Sequence, residues 1–214
     1  MIQAVIFDLD GVIIDTAHYH YIAWKRLASE FGITLTPAHN ELLKGVSRLR
    51  SLEIILSLGN ITLPQEQMEK LAEKKNKWFV EYIESIRPEE IYPGVLDLIH
   101  NLRKKKIKVG LASSSKNSPR VIELLGIAKD FDTLIDGTMI IHTKPDPEIF
   151  LLAAHRLGVD PAHCVVFEDA AAGVEAALAA GMKCVGIGQQ SQLGKANKVI
   201  AHTGDFNLND LNTL

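Results

Sequence analysis

The stretch Phe7–Thr16, Phe-Asp-Leu-Asp-Gly-Val-Ile-Ile-Asp-Thr, constrains this chain more than any other part of it. It is preceded by Ala4-Val5-Ile6, so four apolar residues in a row lead into it, the pattern of a strand buried on both faces. Asp8, Asp10 and Asp15 then arrive together, with Gly11 between them. Carboxylates crowded at the end of a buried strand repel one another and need a compensating cation. A divalent ion is the simplest partner, and a site made only of oxygen suits Mg²⁺. In extended chain Asp8 and Asp10 project to the same side. One site can use both, the first as nucleophile and the second as proton donor and acceptor. The plainer alternative is a solvated turn, since Asp and Gly are common turn residues.

The remainder of the chain decides whether such a site can be built. From Ala17 the pattern is helical for about seventy residues, on the 3.6-residue period. Helices are expected over 18–31, 40–43 and 48–58, and a long one opens at Pro64 as a first-turn proline. The last carries the stripe Met68, Leu71, Ala72, Phe79, Tyr82 and Ile83. After Pro93-Gly94 short apolar runs alternate with helices. Strands are expected at 107–112, 133–135, 165–167, 184–187 and 199–201, and helices at 118–125, 147–157 and 170–180. Strand–helix alternation implies right-handed crossovers and a parallel sheet, which binds ligands at the carboxyl ends of its strands. The expected architecture is α/β: a Rossmann-like parallel-sheet core, residues 1–15 and 89–214, with an inserted helical cap domain, residues 16–88.

Composition narrows the class. A chain of 214 residues with 47% apolar and 23% charged residues can bury a sizeable core. A net charge of −3 argues against a nucleic-acid partner. Arg103-Lys104-Lys105-Lys106 reads as a solvated helix end, where cations meet the helix dipole favourably. No run of about eighteen uncharged apolar residues offers a membrane span, and acids by position 8 do not suit a signal peptide. Cys164 and Cys184 each open an apolar run and read as packing residues rather than a disulfide. The expectation is a cytoplasmic monomer.

Each later strand runs into polar residues. Ser113-Ser114-Ser115-Lys116-Asn117 follows the second strand, either as an anion cradle or as the N-cap of the next helix. Lys144 sits in Thr-Lys-Pro-Asp-Pro, where two prolines restrict the backbone around it. Glu168 and Asp169 end a buried strand, either as further metal ligands or with Asp169 capping the next helix.

Taken together, these residues resemble the four motifs of the haloacid-dehalogenase superfamily, in order and each at a strand end. The resemblance implies a phosphoryl-enzyme on Asp8, Asp10 as general acid and base, Ser113 and Lys144 as catalytic partners, and Mg²⁺ held by Asp8, Asp10, Glu168 and Asp169. The helical part resembles β-phosphoglucomutases in Leu43-Lys44-Gly45-Val46-Ser47-Arg48, in Thr16…His20 and His20-x-x-x-Trp24, and in Lys75-Asn76. That implies sugar-phosphate contacts from Asp8, Asp10, His20, Trp24, Lys44, Gly45, Val46, Ser47, Arg48, Lys75, Ser113, Ser115, Lys116 and Asn117. Without the family, Lys75 is either a lysine snorkelling from an apolar stripe or a cation reaching a closed cleft. Arg48 is either an exposed helix-start residue or a bidentate phosphate ligand. Trp24 is either packing or a sugar platform. Met139-Ile140-Ile141-His142 is bulkier than the family's loop before the lysine.

The implied reaction is Mg²⁺-dependent interconversion of β-glucose 1-phosphate and glucose 6-phosphate through the 1,6-bisphosphate. A sugar-phosphate phosphatase of the same fold is the alternative. Phosphonate hydrolases and dehalogenases of the superfamily lack the acid that Asp10 supplies. A signalling receiver domain shares the acidic cluster but is shorter, has no helical insert, and carries its phosphorylated Asp on a later strand.

Overall fold

In the computed structural model, which describes residues 1–43 and 46–214, six parallel strands form one sheet in the order β3-β2-β1-β4-β5-β6. They are β1 (Ala4–Phe7), β2 (Lys108–Ala112), β3 (Thr133–Ile135), β4 (Cys164–Glu168), β5 (Lys183–Ile187) and β6 (Lys198–Ile200). The period-two alternation of side chains splits β1 between two cores. Val5 and Phe7 face the layer that holds α5 (Val95–Lys104) and α6 (Ser118–Leu125). Ala4 and Ile6 face α7 (Glu148–Leu157) and α8 (Ala171–Ala179). This is why the strand reads as unbroken apolar sequence. Phe7 and Phe167 meet on one face with ring centroids 4.9 Å apart. Truncating such a buried ring to Ala costs about 3–5 kcal/mol.

Among the described residues four α-helices lie between β1 and α5: α1 (Ala17–Ser29), α2 (Pro37–Glu41), α3 (Arg48–Leu58) and α4 (Gln65–Ile83). They enclose a third core around Trp24, Leu27, Leu52, Ile55, Leu56 and Ala72. Ala23, Phe79 and Ile83 join the core of the sheet instead. The amphipathic stripe of α4 therefore serves two neighbours.

The expected elements form with the expected types, and most differences lie at their ends; the short helix Gln190–Leu193 was not expected. Pro64 is the N-cap of α4 with extended backbone (φ −60°, ψ 150°), so the helix begins one residue later than a first-turn proline would place it. Pro147 likewise stands before α7. Helix α1 stops at Ser29, because the chain turns at Phe31-Gly32, where Gly32 has φ +68°. Helix α2 begins at Pro37, earlier than expected, because the Thr36 side chain accepts the His39 amide. Cys164 and Cys184 are buried, unpaired thiols in the α7–α8 core. Among the described residues no helix is long and apolar enough to cross a membrane.

Candidate active site

Parallel pairing puts the ends of β1, β2 and β4 side by side. Phe7 is in register with Leu111 on one flank and Phe167 on the other. The next residues outward are Asp8, Ala112-Ser113 and Glu168, so sheet register alone gathers three motifs far apart in sequence. The Asp8 amide still continues the ladder, donating to the Phe167 carbonyl at 2.9 Å.

Lys144 enters from the loop between β3 and α7. Its ammonium donates to Asp8 Oδ1 at 2.6 Å and to Glu168 Oε2 at 2.8 Å. It is 2% exposed, so both ion pairs are desolvated. Burial opposes its charge, but Asp8 and Glu168 outweigh that cost and push its pKa up. Glu168 is pushed up to about 8, first by burial and then by Asp8 and Asp169, against the pull of Lys144. Ala171–Ala179 packs close behind this carboxylate: a Cβ on Gly173 would overlap Glu168, and one on Gly11 would overlap Asp169.

The Asp10 amide donates to Asp8 Oδ2 at 3.0 Å, which fixes the two residues as a unit. The Asp10 carboxyl accepts from the Thr16 hydroxyl, and Thr16 is fully buried. Its pKa is raised well above the ordinary carboxylate value, by burial first and then by Asp8 and Asp169. A carboxyl whose pKa is raised beside a second carboxylate is the arrangement a proton donor needs.

Carboxylate oxygens of Asp8, Glu168 and Asp169 all lie within 4.8 Å of one another. This donor set, three carboxylates against the single ammonium of Lys144, is all oxygen and fits a divalent cation of the Mg²⁺ type. Asp10, also expected as a ligand, is not one of the three; its side chain is engaged by Thr16. Asp15 is a correction. It is exposed and accepts the His18 amide at 3.3 Å at the start of α1, outside the site. The chain reverses between it and Asp10, through Gly11 at φ +76°.

The loop after β2 is folded on itself. Ser113 is fully buried, its hydroxyl accepts the Ser115 amide at 3.1 Å, and the Ser115 hydroxyl accepts the Asn117 amide at 3.2 Å. Asn117 is the N-cap of α6, yet its side chain makes no cap bond. It donates instead to Asn76 Oδ1 on α4 at 2.8 Å. Asp169 is likewise not the cap of α8; Ala170 holds that position.

A cavity of about 320 Å³ opens between the sheet ends and the helices. Asp8, Asp10, Asp169, Ser115, Lys116 and Asn117 line it from the sheet side, and His20, Trp24, Val46, Ser47, Arg48 and Lys75 from the helices. Ser113, Lys144 and Glu168 lie behind this wall. Lys44 and Gly45 lie outside the described residues. Ser47 also caps α3, accepting the Arg50 amide at 3.2 Å.

Lys75 does not snorkel; it is 1% exposed. Its Nζ is 2.8 Å from His20 Nδ1 and lies over the rings of Trp24 and Phe79 at 4.6 and 4.7 Å. Burial, then Arg48, brings its pKa well below the usual lysine value. His20, stacked on Phe79 at 4.0 Å, is brought well below its ordinary value by burial, then by Lys75 and Arg48. Arg48 lies 3.5 Å from Glu73, and burial lowers its pKa somewhat. Sequence reasoning missed the bond of Thr16 to Asp10 and the close approach at Gly173. Both residues stand inside recognised motifs, but only the fold supplies their partners.

A parallel sheet with a buried Asp–Lys pair at its strand ends, an acid two residues on and an acidic triad defines a class of phosphoryl-transfer site. Residues 2–181 match the model of the haloacid dehalogenase-like hydrolases, and the chain belongs to that family. It is 45% identical to a β-phosphoglucomutase of Bacillus subtilis over 96% of this chain and 92% of the relative. A phosphorylated carbohydrates phosphatase of Thermotoga maritima is 35% identical over 91% of this chain and 89% of its own. The crystal structure of a β-phosphoglucomutase from Clostridium difficile superimposes with a TM-score of 0.95 at 43% identity, covering 100% of this chain and 96% of that one.

Proposed function

We propose that this protein is a β-phosphoglucomutase, interconverting β-glucose 1-phosphate and glucose 6-phosphate through an aspartyl phosphate and glucose 1,6-bisphosphate. One observation carries the reading: the cleft that exposes Asp8 and Asp10 is also lined by Arg48 and Lys75, so one cavity has a place for each of two phosphates. The same reading divides the chain into a core, 1–15 and 89–214, and a cap, 16–88, that closes over the sugar. It also takes the protein to be a cytoplasmic monomer with two reduced, buried thiols.

Asp8, Glu168 and Asp169, with Asp10 beside them, would hold Mg²⁺. The ion would supply charge neutralisation at the phosphoryl oxygens, where phosphoryl transfer needs help. The chain's own residues do the rest. Asp8 attacks phosphorus, the bond from phosphorus to the sugar oxygen breaks, and Asp10 donates its proton to that oxygen. Lys144 balances the charge of nucleophile and phosphoryl group. The sugar then presents its other hydroxyl, Asp10 takes that proton, and the hydroxyl oxygen attacks the phosphoryl group on Asp8. Arg48, Lys75 and the loop Ser115-Lys116-Asn117 hold the phosphate that is not reacting. Burial and Arg48 oppose the charge of Lys75, and a phosphate arriving beside it would favour that charge.

A phosphatase of the same family shares every core step and differs only in what attacks the intermediate. Water is present at about 55 M, so sugar competes only if it is held in line, where effective molarities reach ~10⁵ M or more. The test is to follow isomerisation, primed by the bisphosphate, and phosphate release in one reaction. Isomerisation should far exceed release. Phosphate release that keeps pace overturns the mutase reading in favour of a sugar-phosphate phosphatase. Asp8→Asn should abolish both, and turnover within tenfold of wild type, about 1.4 kcal/mol of barrier, would remove Asp8 as nucleophile.

A further inference from the structure

One residue bordering the cleft has no part in these steps. Asn76 follows Lys75 on α4, and its carbonyl oxygen accepts the 2.8 Å bond from Asn117 Nδ2. Three residues along α6, on the same face, Arg120 donates to Glu84 at 2.9 and 2.6 Å. The start of α6 is therefore tied twice to α4 and the residue just beyond it. The Arg120–Glu84 pair is exposed on both sides, the kind of contact that contributes little. The asparagine pair is half-buried, and Asn117 lines the cleft.

We infer that Asn76 is a positioning residue: it turns the Asn117 amide so that its NH₂ group, and not its carbonyl oxygen, serves the phosphate that is not reacting. This rests on the sugar-phosphate reading above. An asparagine side chain is an acceptor on one side and a double donor on the other. One Nδ2 hydrogen is used by Asn76, which leaves the second for an anion. Rotating the amide would set the Asn117 oxygen against the phosphate and against the Asn76 oxygen, two contacts between acceptors. Because the bond joins helical insert and sheet, Asn117 is set only while α4 stands over the phosphate loop. The hydroxyls of Ser113 and Ser115 accept from backbone amides of the loop.

The experiment is a double-mutant cycle on the Mg²⁺-loaded protein, with glucose 6-phosphate as probe and calorimetry as readout. Asn76→Ala and Asn117→Ala should each weaken binding about tenfold, a typical loss for one hydrogen bond to a charged group. The double variant should be no weaker than Asn117→Ala alone, because Asn76 acts through Asn117. In turnover, Asn76→Ala should raise KM about tenfold and change kcat less than twofold. Asn76→Leu, which keeps the size of the side chain, should behave like Asn76→Ala, with thermal midpoints close to wild type. Additive losses, or kcat falling at constant KM, overturn the positioning role while leaving the sugar-phosphate reading in place. Failure of wild type to bind glucose 6-phosphate overturns both.

Discussion

Lys144 and Lys75 are both buried, at 2% and 1% exposure, and they sit in opposite electrostatic settings. Lys144 lies between two carboxylates, which outweigh the cost of burial and hold it charged. Lys75 has a histidine nitrogen, two aromatic faces and an arginine nearby, and burial wins. Lys144 has its ion-pair partners within the chain. The helical insert has left a cation short of an anion. Substitutions at and around the two can break the contrast or sharpen it.

The largest effect belongs to Lys144→Ala. Removing one partner from a buried ion pair leaves carboxylates uncompensated and costs about 3–5 kcal/mol. Stability should drop steeply, and denaturant titration measures it. A variant as stable as wild type would show that Lys144 is not the counterion of Asp8 and Glu168.

Metal loading comes next. Saturating Mg²⁺ should raise the midpoint, through a gain in stability of about 2.7 kcal/mol at a hundred times its dissociation constant. Asp169→Asn should remove most of that shift, and Lys75→Met none of it. A shift that survives Asp169→Asn places the ion elsewhere.

Lys75→Met should behave unlike Lys144→Ala. The midpoint should stay level or rise, because an apolar side chain fits the Trp24–Phe79 environment. Sugar-phosphate kcat/KM should fall about 10- to 100-fold, the ~1.5–3 kcal/mol of one charge-assisted bond. Steady-state kinetics beside a melting curve reads both. A large loss of stability with intact kinetics would break the contrast between the two lysines.

The smallest effect is a pH slope. His20 titrates below its ordinary value of 6.5 in the folded protein, mainly through burial. Between that depressed value and 6.5 the unfolded chain binds more protons, so stability falls as the pH drops below about 6.5. The slope from this one group is at most ~1.4 kcal/mol per pH unit. His20→Gln keeps an acceptor for Lys75 and cannot titrate, so its midpoint should fall less between pH 7 and pH 5. Equal falls would mean that His20 is not held neutral.

Much of this molecule is legible along the chain alone. The run Ala4–Phe7 announces a strand buried on both faces because nothing polar interrupts it, and both faces are covered. The limits of α3, Arg48–Leu58, follow from its apolar period and from Gly59. Pro64 and Pro147 stand one residue before the helices they introduce, at the N-cap rather than in the first turn. Three strand-end motifs point to Asp8, Ser113 and Glu168-Asp169, since each interrupts apolar sequence where a parallel sheet presents its ligands; Lys144, expected at a strand end too, stands in the loop between β3 and α7. What the string Asp8…Asp10…Asp15 could not reveal is which acids meet. Spacing along the chain suggests all three, but the turn at Gly11 carries Asp15 out to solvent. Sheet register brings Asp169 in from the far half of the sequence. The same holds for Lys75. A lysine in an apolar stripe is ambiguous along one helix, and its direction was settled by His20, Trp24 and Phe79, which pack around it only when α1 and α4 lie together. Local pattern determines an element because its causes lie within a few residues. Ionisation and partnership depend on burial and on charges a few ångströms away, and tertiary structure alone decides those.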